Sequence, residues 1–111
     1  MAKSMHMGGC IVSKNILNKV APVRWCFREE GVNAQDNGWR FLSAIDSDDY
    51  LNDPGNMAVC DWGTIVEIEP AVQLIFNLPY GAELVLEHEP NGKKAFIDPR
   101  NGRRFELPEQ M

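Results

Sequence analysis

A chain of 111 residues with 44% hydrophobic and 24% charged side chains has room for one hydrophobic core and matches ordinary globular usage, which excludes a second domain, disorder and a fibrous repeat. Its net charge of −5 is unevenly spread: residues 1–28 carry five bases and no acid, residues 29–89 carry thirteen acids against Arg40 alone, and residues 90–111 carry five bases and three acids. A negative field on the face where the middle block gathers repels nucleic acid and anionic lipid and attracts a basic protein, so neither a nucleic-acid nor a membrane partner is expected.

The start of the chain, residues 1–9, holds Lys3 and is not followed by the apolar run of a signal peptide. Nor does any window reach the roughly 18 uninterrupted apolar residues of a membrane helix. The expectation is a flexible N-terminus over 1–9, a single domain over 10–111 and a cytoplasmic location. Cys10, Cys26 and Cys60 are odd in number, lack C-x-x-C spacing and sit in apolar stretches, which reads as buried free thiols.

Cys10-Ile-Val-Ser13 and Val23-Arg-Trp-Cys-Phe-Arg28 have strand composition, with a helical turn between them over Asn15 to Lys19. Gly31 to Gly38 is a polar loop. Trp39 to Ser43 is a third strand. Asp46 to Asp53 gathers four acids around Tyr50 and Leu51 in one helical turn, and Asp53-Pro-Gly-Asn56 is a tight turn before a fourth strand over Met57 to Asp61. From Thr64 to Asn77 the apolar residues Ile65, Ile68, Val72, Ile75 and Phe76 form one stripe, with Thr64 and Glu67 spaced as a capping box. Pro70 splits this stretch into helices over 64–68 and 70–77. Glu83 to Glu87 alternates as a half-buried strand, and Ala95 to Ile97 with Arg104 to Leu107 forms a C-terminal β-hairpin. The expected architecture is α+β, a small antiparallel or mixed β-sheet with one helical layer.

Catalytic and cofactor signatures are absent. His6 and His88 are the two histidines, and neither builds a nucleophile–base pair or a zinc site. Asp46-Ser-Asp-Asp49 lacks the central glycine and closing glutamate of a calcium loop, and no glycine-rich phosphate cradle is present. No metal, no cofactor and no enzymatic activity are expected. Trp25 and Trp39 read as core aromatics, whereas Trp62, at a strand end between Asp61 and Gly63, is the tryptophan best placed to lie at the surface and anchor a partner. Arg40, alone among acids, is expected to pair with a nearby carboxylate.

Taken in order, Cys10-Ile-Val-Ser-Lys14, Trp25 to Glu30, Asn37-Gly-Trp-Arg-Phe-Leu-Ser43, Asp48-Asp-Tyr-Leu-Asn-Asp-Pro54, Thr64-Ile with Pro70, and Pro79-Tyr-Gly81 resemble the bacterial domain-of-unknown-function 2185 family, also described as immunity protein 33-like. The resemblance spans about residues 10 to 86. It implies a cytoplasmic protein that neutralises a toxin, with no reaction and no cofactor. The expected partner is therefore a basic protein, a toxin domain, met by Asp46, Asp48, Asp49 and Asp53 with Tyr50 or Trp62 as anchor. The alternative is a small-molecule or regulatory ligand module with a pocket lined by Trp25, Trp39 and Arg40.

Overall fold

The computed structural model of the protein describes residues 7–107. In chain order they form β1 (Gly9–Ser13), α1 (Lys14–Leu17), β2 (Val23–Arg28), β3 (Asp36–Ser43), α2 (Asp48–Leu51), a 3-10 turn (Pro54–Asn56), β4 (Met57–Asp61), α3 (Trp62–Ile68), a 3-10 helix (Pro70–Ile75), β5 (Glu83–His88), β6 (Lys94–Ile97) and β7 (Arg104–Glu106). The seven strands make one mixed sheet in the order β4-β1-β3-β2-β5-β6-β7. β1 and β3 run parallel, every other neighbouring pair is antiparallel, and β6 with β7 is the expected C-terminal hairpin. The fold class is α+β, as the sequence indicates. No helix among the described residues is long and apolar enough to cross a membrane.

The strand order explains where the helices lie. β4 is at one edge and the next strand, β5, lies on the far side of β1, β3 and β2, so the intervening α3 and 3-10 helix cross one face of the sheet. They bury Trp62, Ile65, Ala71, Val72 and Ile75 there. The opposing strands supply Cys10, Val12, Cys26, Trp39 and Phe41. Trp39, Phe41, Trp62 and Phe76 form the centre, with Trp39 stacked on Phe41 at 5.9 Å and Trp62 edge-on to Phe76 at 4.8 Å. Aromatics of this size each bury roughly 150–250 Å², and the Trp39 indole N–H finds the Phe76 carbonyl at 3.1 Å.

Pro70 divides the helical stretch as expected, because its ring and missing N–H cannot continue α3. Glu69 turns the chain between the two pieces, and its side chain accepts from the Ala71 N–H. The expected start is corrected. The helix begins at Trp62, two residues before Thr64, and its N-cap is Asp61, without a side-chain cap bond. The capping box is not used because β4 feeds the helix with no intervening loop, and the first helical N–H, that of Trp62, is taken up by the Gly8 carbonyl at 3.0 Å.

The N-terminal boundary also shifts. Residues 1–6 of the start expected to be flexible lie outside the described residues, but Gly9 is already in β1 and its N–H donates to the Gln35 carbonyl at 2.7 Å. The Met7 carbonyl accepts from Asn37 Nδ2 at 2.8 Å.

Candidate functional site

Arg40 is 4% exposed and makes four hydrogen bonds. Its guanidinium donates to both carboxylate oxygens of Asp36 at 2.8 Å, to Glu29 Oε2 at 2.8 Å and to the Trp39 carbonyl at 3.2 Å. In a regular strand residues four apart are about 13 Å apart, too far for this fork. A bulge closes the gap: three residues of β1, from Gly9 to Ile11, face five of β3, from Asp36 to Arg40. Gly38, at φ +89°, sits within it. Asp36 also accepts from the Val32 and Gly38 N–H groups, so one carboxylate ties the 31–36 loop to the sheet. Arg40 is thus a structural clasp, with Nε, Nη1 and Nη2 each bonded within the protein.

Strand register sorts the tryptophans. Cys26 pairs with Phe41 and Leu84 on the helix-covered face, so Trp25, pairing with Leu42 and Val85, points to the other. Trp25 is 46% exposed and Trp62 is 1% exposed. The two exchange the places expected of them. Trp62 is core because α3 begins on it and turns it onto Trp39 and Phe41, while Trp25 is bared because no helix among the described residues crosses its face. The Trp62 indole N–H is buried with no partner among the described residues. A pocket shared by Trp25, Trp39 and Arg40 does not form: Trp39 lies beneath the helices, Arg40 is locked by carboxylates, and Trp25 borders a shallow groove with Phe27, Leu42 and Pro99.

The acids divide by role. Glu69 is buried and held by Lys94 Nζ at 2.7 Å, and Arg104 engages Glu87, Glu89 and Glu106. The basic tail therefore neutralises part of the acidic middle block. Asp46 is half-buried, and its carboxylate accepts from the Ser43 N–H at 2.7 Å, the Ser43 hydroxyl at 2.6 Å and Asn15 Nδ2 at 2.8 Å. Burial disfavours its charge, but these donations outweigh it and hold the carboxyl below the usual range. Asp46 is a loop brace. Asp53 is exposed and accepts from the Gly55 N–H at 2.8 Å. Asp48 and Asp49 are exposed in the first turn of α2, where negative charge is favourable. Tyr50 is half-buried beside them, its carbonyl accepting from Asn56 Nδ2 at 2.8 Å. Asp61 is exposed at the far end of β4. Among the described residues no cation pairs with Asp48, Asp49, Asp53 or Asp61.

A family model described as the immunity protein Imm33 domain matches residues 10–96. The chain belongs to the Imm33 immunity-protein family. No curated protein and no solved structure matches it. The matched residues end within β6, so β7, the outer strand of the hairpin, lies outside them.

Sequence reasoning missed the open groove of this Imm33 protein, about 870 Å³, lined by Ile11, Val32, Asp36, Val59, Cys60 and Asp61. Alternation along Met57-Ala-Val-Cys-Asp61 could have put Val59 and Asp61 on one face, but not beside the 31–36 loop, which only the fold places there. The thiols lie nearby: Cys10 and Cys60 are cross-strand partners with Sγ atoms 4.0 Å apart. Hydrogen bonding to Cys60 and burial both push the Cys10 thiol up, and burial does the same for Cys26. Iodoacetamide is accordingly expected to modify half-buried Cys60 first in the folded protein and to spare Cys10 and Cys26 until unfolding, read by peptide mass mapping. Equal labelling of Cys26 under native conditions would contradict its burial.

Proposed function

We propose that this protein binds and neutralises a toxin domain with a basic surface, works in the cytoplasm of the cell it protects, and catalyses no reaction. Membership of the Imm33 family carries the reading, since an immunity protein acts on a protein partner. The finer assignment rests on Asp48 and Asp49, exposed and unpaired among the described residues, with Asp53 close by in sequence and Tyr50 as the half-buried aromatic beside them. Fixed negative charge of this kind raises the association rate toward a basic protein and rejects polyanions. Asp46 contributes by holding the loop that presents the others and makes no contact of its own.

The deciding experiment measures binding to a basic bacterial toxin domain, sought first in the adjoining gene, together with growth protection on co-expression. Replacing Asp48→Asn and Asp49→Asn together is expected to slow association roughly 3- to 10-fold at low salt, with the difference shrinking as salt rises and the melting temperature nearly unchanged. Association kinetics equal to the parent protein's would remove these two aspartates from the interface.

A further inference from the structure

Resting on the reading above, we propose that the free edge of β4 receives an extended segment of the toxin as an added strand, one with β-branched or apolar residues at its centre and Lys or Arg at both ends. The phase of the β1–β4 ladder comes from one bond. Trp62 N–H donates to the Gly8 carbonyl at 3.0 Å, which makes Gly8 and Trp62 a hydrogen-bonded pair. In the antiparallel register the next such pairs are Cys10 with Cys60 and Val12 with Ala58. Val59 therefore turns both its N–H and its C=O outward, away from β1, flanked by the Met57 C=O and the Asp61 N–H. The Met57 N–H is taken by the Pro54 carbonyl, and the Asp61 C=O, at the N-cap of α3, by the helix. β4 stands at the end of the sheet, and among the described residues no strand pairs with its outer side.

Edges left open in this way are usually guarded by lysine, proline, a bulge or a covering loop. Met57-Ala-Val-Cys-Asp61 has no lysine and no proline. The opposite edge shows what guarding looks like here: β7 is three residues long and its Arg104 is ion-paired to Glu87, Glu89 and Glu106. Val59, at the middle of β4, is 78% exposed and borders the groove with Ile11 and Val32. That gives the side chains of an added strand an apolar place to rest, while the backbone supplies the ladder.

Charge selects the occupant. Asp53, with Asp48 and Asp49 before it, leads directly into Met57, and Asp61 closes the other end of the strand. A second copy of this chain docking antiparallel about Val59 would set each Asp61 against the other copy's acidic lead-in, so like charges meet at both ends. A segment with basic ends meets opposite charge at both.

The test uses the full chain and the same toxin domain. Val59→Pro removes an outward N–H that β1 does not use, at the kind of edge position where proline is tolerated. It is expected to weaken binding at least tenfold, whereas Val59→Thr, which keeps the N–H, binds within about twofold of the parent. Amide exchange at Val59 and Asp61 is expected to slow at least tenfold in the complex of the unsubstituted protein. Should Val59→Pro disturb folding, that exchange measurement and Asp61→Lys, which removes no cap bond and is expected to cost several-fold in affinity, decide the matter. Unchanged binding by Val59→Pro, or no added protection along β4, overturns the added strand and leaves the immunity reading standing. Failure of the parent protein to bind the toxin overturns both. A dimer of the free protein that Val59→Pro abolishes assigns the edge to a second copy instead, and the proposal falls.

Discussion

Arg40→Ala is expected to cost about 3–5 kcal/mol of folding stability, the range for removing one partner of a buried ion pair and stranding the other. Asp36 is 10% exposed and receives both forks of the guanidinium, so without Arg40 its charge is left among backbone and apolar neighbours. Against a typical total of about 5–15 kcal/mol the loss is large, and urea titration reads it as a lower midpoint. Arg40→Lys is expected to recover only part, since an ammonium lacks the planar fork that meets both Asp36 oxygens in parallel while still reaching Glu29. Glu29, 57% exposed, is the weaker partner, and Glu29→Gln is expected to cost less than about 1 kcal/mol.

The pH dependence follows with a definite sign. Arg40's hydrogen bonds hold the Asp36 carboxyl far below the usual range against the opposing pull of burial. A carboxyl depressed in the folded state contributes stability that is present above its unfolded value, about 3.9, and is lost as pH falls toward the folded value. The parent protein is expected to weaken from about pH 4 downward, and the gap between it and Arg40→Ala to narrow over the same range, because a protonated Asp36 no longer needs the cation. A gap that stays constant from pH 7 to pH 2.5 would show that the ion pair is not what Arg40 contributes.

Gly38→Ala is expected to be at least as damaging, more than about 3 kcal/mol. Gly38 has φ +89° in the β3 bulge, a region that costs an L residue roughly 1–2 kcal/mol. A Cβ built there also runs into the carbonyl oxygen of Glu29, closer than real Cβ contacts come. That oxygen is backbone and cannot swing aside, because the Glu29 N–H is bonded to the Gly38 carbonyl at 2.9 Å. Gly92→Ala serves as the control: its φ is +85° but nothing lies within 4 Å, so only the backbone strain remains. If the two variants lose the same stability in urea, the close approach at Gly38 contributes nothing. Since the bulge brings Asp36 within reach of Arg40, Gly38→Ala is expected to disturb the clasp as well.

Much of the secondary structure was legible. Val23 to Arg28 and Met57 to Asp61 are strands where β-branched and aromatic residues cluster between turn formers, and Pro70 breaks the helical stretch for reasons contained in its own ring. The capping box at Thr64 misled, because a strand running straight into the helix supplies the first acceptor from Gly8 and local signals do not show it. The site was less legible. Asp46 through Asp53 were grouped by sequence, but the fold spends Asp46 on Ser43 and Asn15 and leaves Asp48 and Asp49 bare.

By itself the sequence determined the strand and helix segments, the need of a lone arginine for a carboxylate partner, the acidic excess of the middle block and, through its motifs, the family. The tertiary structure decided which tryptophan is buried, which acids stay unpaired and which strand is left at an open edge. Alternation along a strand is a local property that defines two faces without saying which one helices will cover. Pairing of charges depends on distances set by register between segments far apart in the chain. Trp25 and Trp62 changed places on the first ground, and Asp36 met Arg40, through a bulge opposite β1, on the second.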